Sequence, residues 1–577
     1  MIRSPFRAVV RAAVAFLLVI LFVWPAEAQH GREPVPALNG MVTSSQYLGS
    51  EVGRDILMAG GNAVDAAIAT AFALAVVHPS AGNIGGGGFL VYHSADGEDI
   101  TAFNFREKAP LAATVDMFMG PDGQPDNHAH HHALTSVGVP GTVAGLALAH
   151  ERFGSMPWRD LVEPAVRLAE DGFPWSWDLR NLGTWFRDMA ADDPIYESSV
   201  RAFTKGDAGD YAVGEIMRQP DLAETLKRIR DQGPDGFYKG ETARLMAEFM
   251  RKNGGLITEE DLALYEADEQ EPIHGTYRGY DIYGMSPPSS GGIATVTMLN
   301  ILEGYDLKSL GHNTAQYLHL LTEAMRRAYA DRALFVGDPK FNPDMPVDRL
   351  ISKEHASDLR STIDPISASV SDSANFNGIQ WYESDETTHF SVVDAEGNTV
   401  SLTYTLEYSY GARIVVEGAG FLLNNEMGDF NPVPGLTDSR GNIGTDANLV
   451  APQKRMISSM TPTIVAKDGR PVMAIGSPGG RTIINTTLQV ILNVIDHDMN
   501  IAEAVEAPRI HHQWLPDRTS FEPGISLDTR RLYEQKGHSV YDRNVQGQAM
   551  GIWIDWETGI RWGSADSRSF DSRAVGY

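Results

Sequence analysis

The sequence predicts a mixed α and β globular protein, and three observations carry that reading. Leu48, Val52, Ile56 and Ala59 recur at helical spacing, with Gly60-Gly61 as a stop. Ala63 to Val77 is apolar nearly all round, the mark of a buried helix, and Pro79 closes it. Strict alternation at Thr101 to Arg106 and again around residues 390–406 has the two-residue period of strands. In the first of these, Phe103 and Phe105 face one way while Ala102, Asn104 and Arg106 face the other. Gly85 to Gly88 forms a loop feeding the strand Phe89 to Tyr92. Further helices fit Gly141 to Phe153, Trp158 to Ala169 and Ala315 to Phe335. Strand-like runs return at Thr463 to Val465 and Val472 to Ile475.

The chain has 577 residues, and at about 150 residues per domain the length alone would suggest three or four domains. A hydrophobic share of 43% with 9% aromatics excludes disorder and fibrous repeats. The absence of cysteine excludes a disulfide scaffold, cysteine catalysis, iron–sulfur clusters and cysteine-type zinc sites. A net charge of −28 opposes sequence-independent nucleic-acid binding. Residues 1–28 read as a signal peptide. Arg3, Arg7 and Arg11 form a basic leader, Ala12 to Trp24 is apolar, and Ala26-Glu27-Ala28 is a small-residue cleavage site. The apolar run is too short to span a bilayer, which takes about 20 residues. Cleavage after Ala28 removes three arginines and one glutamate and takes the net charge from −28 to −30. No later segment is long and apolar enough to cross a membrane, so the expected location is periplasmic or extracellular, with no membrane contact once the leader is removed.

Several motifs that suggest chemistry do not complete it. His128-Ala129-His130-His131-His132 invites a metal, but the run is expected to be a solvated loop with at most adventitious Zn²⁺ or Ni²⁺ affinity. His150-Glu151 opens a zinc-protease motif, yet Gly154 stands where the second histidine is required. The glycines at 85–88 lack the Lys-Ser/Thr of a phosphate loop, and no serine sits in a G-x-S-x-G frame. Asn431-Pro432-Val433-Pro434-Gly435 through Gly444 is a long irregular loop, either a lid or an ordinary surface excursion.

The informative stretch is a β-hairpin. Glu386 to Val393 and Thr399 to Leu406 flank Asp394-Ala395-Glu396-Gly397-Asn398, which has turn chemistry. Val400, Leu402, Tyr404 and Leu406 face one way; Thr399, Ser401, Thr403 and Thr405 face the other. If Val393 pairs with Thr399, Thr387 lies opposite Thr405 and places two hydroxyls side by side on the polar face. Cross-strand threonine pairs also occur simply because they stabilise sheets.

Thr387-Thr388-His389-Phe390-Ser391-Val392-Val393-Asp394 resembles the start of the small subunit of the γ-glutamyltransferases (glutathione hydrolases). The resemblance continues through Phe421 to Phe430, Ser458 to Thr463, Gly476-Ser477-Pro478-Gly479-Gly480 and Ala507 to Trp514. Upstream it includes Phe105 to Pro110 and Ser136 to Thr142, so that it runs colinearly from about residue 40 to Tyr577. It implies a four-layer αββα sandwich of the N-terminal-nucleophile hydrolase type and a precursor that cuts itself between Glu386 and Thr387. A large subunit, 29–386, and a small one, 387–577, would remain together as a heterodimer. The freed α-amino group of Thr387 would act as base for its own hydroxyl. The implied donors are glutathione and related γ-glutamyl compounds, with water, amino acids or dipeptides as acceptors and no cofactor or metal. Arg106, Ser458 and Ser459 match the clamp on the donor α-carboxylate. Glu426 and Asp429 match acceptors for its ammonium group, Gly479 and Gly480 the oxyanion hole, and Thr405 a hydroxyl beside the nucleophile. Glu407 stands where many members carry asparagine as a substrate contact. Arg440 stands where some carry a gating tyrosine. A related acylase acting on glutaryl or poly-γ-glutamyl amides is the alternative reading, and a non-enzymatic metal-binding protein built on the histidine run is a more distant one.

Overall fold

The computed structural model describes residues 32–371, 387–437 and 443–577. Residues 1–28, read from sequence as a signal peptide, and Glu386 and Arg440 lie outside the described residues. The fold is that of Pro34–Tyr577, which forms one compact unit in place of the several that length alone suggests.

Fourteen strands make two large sheets: β1 (Val35–Ala37), β2 (Met41–Ser44), β3 (Gly87–His93), β4 (Ile100–Phe105), β5 (Asp268–Gln270), β6 (Ile273–Tyr277), β7 (Tyr280–Gly284), β8 (Thr388–Val393), β9 (Thr399–Thr405), β10 (Thr463–Lys467), β11 (Arg470–Gly476), β12 (Met550–Asp555), β13 (Ile560–Ala565) and β14 (Arg573–Gly576). One sheet runs β14-β2-β8-β9-β3-β4-β5 and the other β1-β13-β12-β11-β10-β7-β6, with antiparallel pairing throughout.

The first sheet is covered by α1 (Tyr47–Met58) and α2 (Ala63–Val77), both at the expected places. Asn62 and Asp65 close a capping box on α2, and every residue of that helix is buried. Leu90, Phe103, Phe390, Val392, Val400 and Leu402 pack in one cluster with α1, α2, α3 (Thr142–Phe153) and α4 (Trp158–Glu170). The second sheet carries α5 (Gly291–Leu302), α6 (Ala315–Phe335) and α7 (Thr482–Ile495), which share a cluster with Ile282, Val465, Met473 and Ile475. Between the sheets lie Phe89, Val91, Ala102, Met460 and Ile464. The order helix, sheet, sheet, helix is the four-layer αββα sandwich.

The hairpin β8–β9 forms in the expected register, with Val393 opposite Thr399 and Thr388 opposite Tyr404. Asp394 Oδ1 accepts from Gly397 N at 3.0 Å and Asn398 N at 2.9 Å, while its Oδ2 accepts from Ala63 N at 3.0 Å. One carboxylate thus closes the turn and ties it to the amino end of α2. The polar face of the hairpin does not meet water; it is buried against the second sheet. Ser391 Oγ donates to the Met550 carbonyl at 3.2 Å, and Ser401 Oγ to the Ile475 carbonyl at 3.2 Å. Hydroxyls on this face satisfy backbone groups across the layer, which allows polar residues in the middle of the sandwich.

Candidate active site

A cavity of about 140 Å³ opens at the end of the hairpin and is lined by Thr387, Thr405, Arg106, Glu407, Glu426, Asp429, Ser458, Ser459 and Gly480. These nine come from segments scattered along the chain, and all were candidates from sequence. The Thr387 and Thr405 hydroxyl oxygens lie 3.4 Å apart, as the register requires. Thr405 is fixed further because its carbonyl accepts from Asn83 Nδ2 at 2.8 Å and its Oγ1 accepts from Glu407 N at 2.9 Å.

Arg106 follows β4 directly and is fully buried. Its Nη1 donates to Glu426 Oε1 and its Nη2 to Asp429 Oδ2, while Nη2 also reaches the Ile457 carbonyl at 2.9 Å. The Arg106 carbonyl accepts from Tyr265 Oη at 2.8 Å and Arg455 Nε at 3.2 Å, so backbone and guanidinium are both held. Burial works against the charge on Arg106, but Glu426, Asp429 and Glu107 outweigh it and raise its pKa above the ordinary arginine value. Glu107, buried with an oxygen 3.6 Å from Arg106 Nη1, is pushed up to about 7 by desolvation, with Arg106 opposing. Burial also holds Glu426 and Glu407 well above the usual carboxylate range. One guanidinium therefore faces several carboxyl groups, an arrangement with room for an incoming cation.

Glu426 and Asp429 belong to the single 3₁₀ turn Glu426–Asp429. Asn424 Oδ1 accepts from Glu426 N at 3.0 Å, and Asn424 Nδ2 donates to the Gly85 and Gly138 carbonyls at 2.8 Å, pinning that turn to the loop before β3 and to the segment before α3. Glu407 bonds to Asn425 Nδ2 and has φ +79°, a backbone region that asparagine enters more readily than glutamate. The asparagine common in the resembling family therefore has a conformational reason as well as a chemical one.

Gly479 and Gly480 precede α7 with φ +131° and +53°. A Cβ on Gly479 would meet Thr482 Oγ1 at 2.5 Å, so the turn requires glycine in both conformation and space. Gly480 lines the cavity; Gly479 is its neighbour and does not. Exposed N–H groups at the start of a helix favour negative charge.

The histidine run corrects its sequence reading. Asn127–His131 is a short helix capped by Asp126, whose Oδ1 accepts from His128 N at 3.0 Å. His130 and His131 are buried and line the cavity instead of lying in water. His131 stacks on Tyr408 at 5.2 Å, with Nδ1 3.5 Å from Glu407 Oε1, and burial pushes it down to about 4. The run offers no convergent metal-ligand set among the described residues. The trio with that geometry is His319, Glu323 and His538, elsewhere in the fold. Arg332, Arg481 and Asn448 also line the cavity and were missed. Both ends of the 431–444 loop contribute, through Asn431, Pro432 and Ile443, which favours a functional segment over a surface excursion.

The family model for gamma-glutamyltranspeptidase matches residues 49–576. A glutathione hydrolase proenzyme of Escherichia coli (strain K12) is 46% identical over 545 residues, 94% of this chain and 93% of that protein. The crystal structure of cephalosporin acylase from Bacillus halodurans superposes with a TM-score of 0.83 at 28% identity, covering 96% of this chain and 98% of that one. Helicobacter pylori gamma-glutamyltranspeptidase gives a TM-score of 0.54 at 42% identity over 60% of this chain and 95% of that one. By sequence along nearly its whole length, and by fold, the chain belongs to the gamma-glutamyltranspeptidase family.

Proposed function

We propose that the protein is a self-processing γ-glutamyl hydrolase and transferase. It cleaves the γ-glutamyl amide of glutathione and related compounds, and it is exported by the leader at residues 1–28 to the periplasm or beyond. The observation that carries this reading is the pairing of Arg106 with Glu426 and Asp429 in the cavity that holds the Thr387–Thr405 hydroxyl pair. A cation and two acids in the same pocket as a nucleophilic hydroxyl suit a zwitterionic amino-acid head group whose side-chain carbonyl reaches the nucleophile.

In this mechanism the precursor cuts itself before Thr387, leaving fragments 29–386 and 387–577 associated as a heterodimer. The freed α-amino group accepts the proton of Thr387 Oγ as that oxygen attacks the γ-carbonyl. Arg106, Ser458 and Ser459 hold the donor α-carboxylate; Glu426, Asp429 and Glu407 face its ammonium. The N–H groups of Gly479 and Gly480 stabilise the oxyanion as it develops, and their fixed turn needs no reorganisation. The tetrahedral intermediate collapses, the C–N bond breaks, and the amine leaves with the proton returned by the α-amino group. Water, an amino acid or a dipeptide then takes the acyl group from Thr387. Thr405, held by Asn83 and Glu407, hydrogen-bonds the nucleophile throughout.

A glutaryl donor would place no ammonium beside Glu426 and Asp429, so the same site favours γ-glutamyl over glutaryl amides by the ammonium contacts that those acids would make in addition to Arg106. The test uses a denaturing gel, amino-terminal sequencing of the smaller band and turnover of a γ-glutamyl anilide. The wild-type chain should give bands of about two-thirds and one-third of its length, the smaller beginning at Thr387. Thr387→Ala should remain uncut and inactive. A wild-type chain that stays whole while turning over the anilide would overturn the mechanism; preferred turnover of a glutaryl anilide would favour the acylase reading.

A further inference from the structure

Arg332 belongs to no motif, yet the residue is buried, at 8% exposure, and reaches the cavity from α6. Its guanidinium meets two serine oxygens: Nε donates to Ser290 Oγ at 2.8 Å and Nη2 to Ser459 Oγ at 3.0 Å. Ser290 in turn donates both its Oγ–H and its backbone N–H to the Ser458 carbonyl, at 2.6 and 2.8 Å. Ser458 N donates to the Pro288 carbonyl at 3.0 Å, which completes a short parallel bridge between the two segments. The Ser458-Ser459 pair is thus held from one side by residues 288–290 and from another by Arg332.

A hydroxyl has one hydrogen to give, and its oxygen accepts through lone pairs. Because the Ser459 oxygen accepts from a guanidinium, its own hydrogen is turned away from Arg332. Ser459 lines the cavity, so the remaining donor direction serves whatever anion is bound there. The planar fork reaches Ser290 and Ser459 from two different nitrogens in a fixed geometry, whereas an ammonium would have to make both bonds from a single nitrogen.

We infer that Arg332 is a positioning residue for the donor α-carboxylate: it fixes Ser459 as a hydrogen-bond donor and, through Ser290, holds the Ser458 backbone in place. This rests on the reading of Ser458, Ser459 and Arg106 as the carboxylate clamp. Arg332 adds positive charge behind the clamp and binds the donor through the serines.

The test compares two anilides that differ only in the α-carboxylate: the γ-glutamyl compound and its 4-aminobutyryl counterpart. Wild-type enzyme should prefer the carboxylated donor strongly in kcat/KM. In Arg332→Gln that preference should shrink about tenfold, the loss of one charge-assisted hydrogen bond, and it should do so through KM more than kcat. Arg332→Lys should recover part of it. If Arg332→Gln keeps the full wild-type preference, or loses activity equally on both donors, the inference is wrong and Arg332 only supports the fold. If the wild-type enzyme shows no preference, the clamp itself is misassigned and the inference falls with it. Should Arg332→Gln fail to mature, Ser290→Ala removes the Nε acceptor and the hydroxyl bond to Ser458 while sparing the guanidinium. An unchanged donor preference in Ser290→Ala would equally overturn the inference.

Discussion

His389 lies two residues past Thr387, buried between the sheets, with Nδ1 2.8 Å from Thr403 Oγ1 and Nε2 3.0 Å from Ser391 Oγ. Burial pushes its pKa from 6.5 to about 3. In the unfolded chain the ring takes up a proton below about pH 6.5; in the folded chain it does so only near pH 3. Between those values the unfolded state binds more protons, so the contribution is intact above pH 6.5 and lost as pH falls. At ~1.4 kcal/mol per pH unit, the loss through this one ring reaches about 2 kcal/mol at pH 5. His389→Gln keeps an amide donor and acceptor for Thr403 and Ser391 and cannot titrate. Denaturant unfolding of the wild-type and variant proteins at pH 8 and pH 5 should show the wild type losing about 2 kcal/mol more than the variant. Other buried histidines, such as His78 and His538, are present in both proteins and cancel in the difference. Parallel loss in the two proteins would refute the reasoning, because it would mean that the folded state protonates His389 as readily as the unfolded one does.

Arg106→Lys keeps a charge but loses the fork that spans Glu426 and Asp429; KM for a γ-glutamyl anilide should rise by about two orders of magnitude, with a lower melting temperature. Asp429→Asn, which weakens the ammonium contact and leaves Arg106 with Glu426, should raise KM about tenfold and narrow the preference for γ-glutamyl over glutaryl anilides. Burial pushes Glu107 up to about 7, so it should gain charge, and KM for an ammonium-bearing donor should fall, as pH rises through that region. Glu107→Gln should flatten that step in a pH series of steady-state rates.

Much of this site was legible because its parts are local. Alternation and a five-residue turn set the β8–β9 register, which alone brings Thr405 to Thr387. Arg106 shows as the polar end of an alternating strand. Arg332 was not legible: it is one of several charged residues on α6, and its importance depends on Ser459, 127 positions away. The histidine run misled for a related reason. Five consecutive polar and small residues look solvated, and only the packing of Phe118 on His130 and Tyr408 on His131 brings two of the rings inside. The apolar alternation likewise shows which face of the hairpin meets helices, while the polar alternation cannot show that a second sheet waits on the other side.

The strand order gives the proposed cut an unusual mechanical setting. β8 and β9 follow the cleavage point, yet β8 is hydrogen-bonded to β2 and β9 to β3, both of which precede it. In the other sheet β1, β6 and β7 precede the cut and flank a block of four strands that follow it. Severing the chain before Thr387 would therefore produce no seam, because each sheet is built from strands on both sides of the cut. The halves left by such a cut would separate only by unzipping both sheets, so their dissociation should coincide with unfolding. Fragments synthesised apart would each expose unpaired central strands, and making one chain first and cutting it afterwards avoids that hazard.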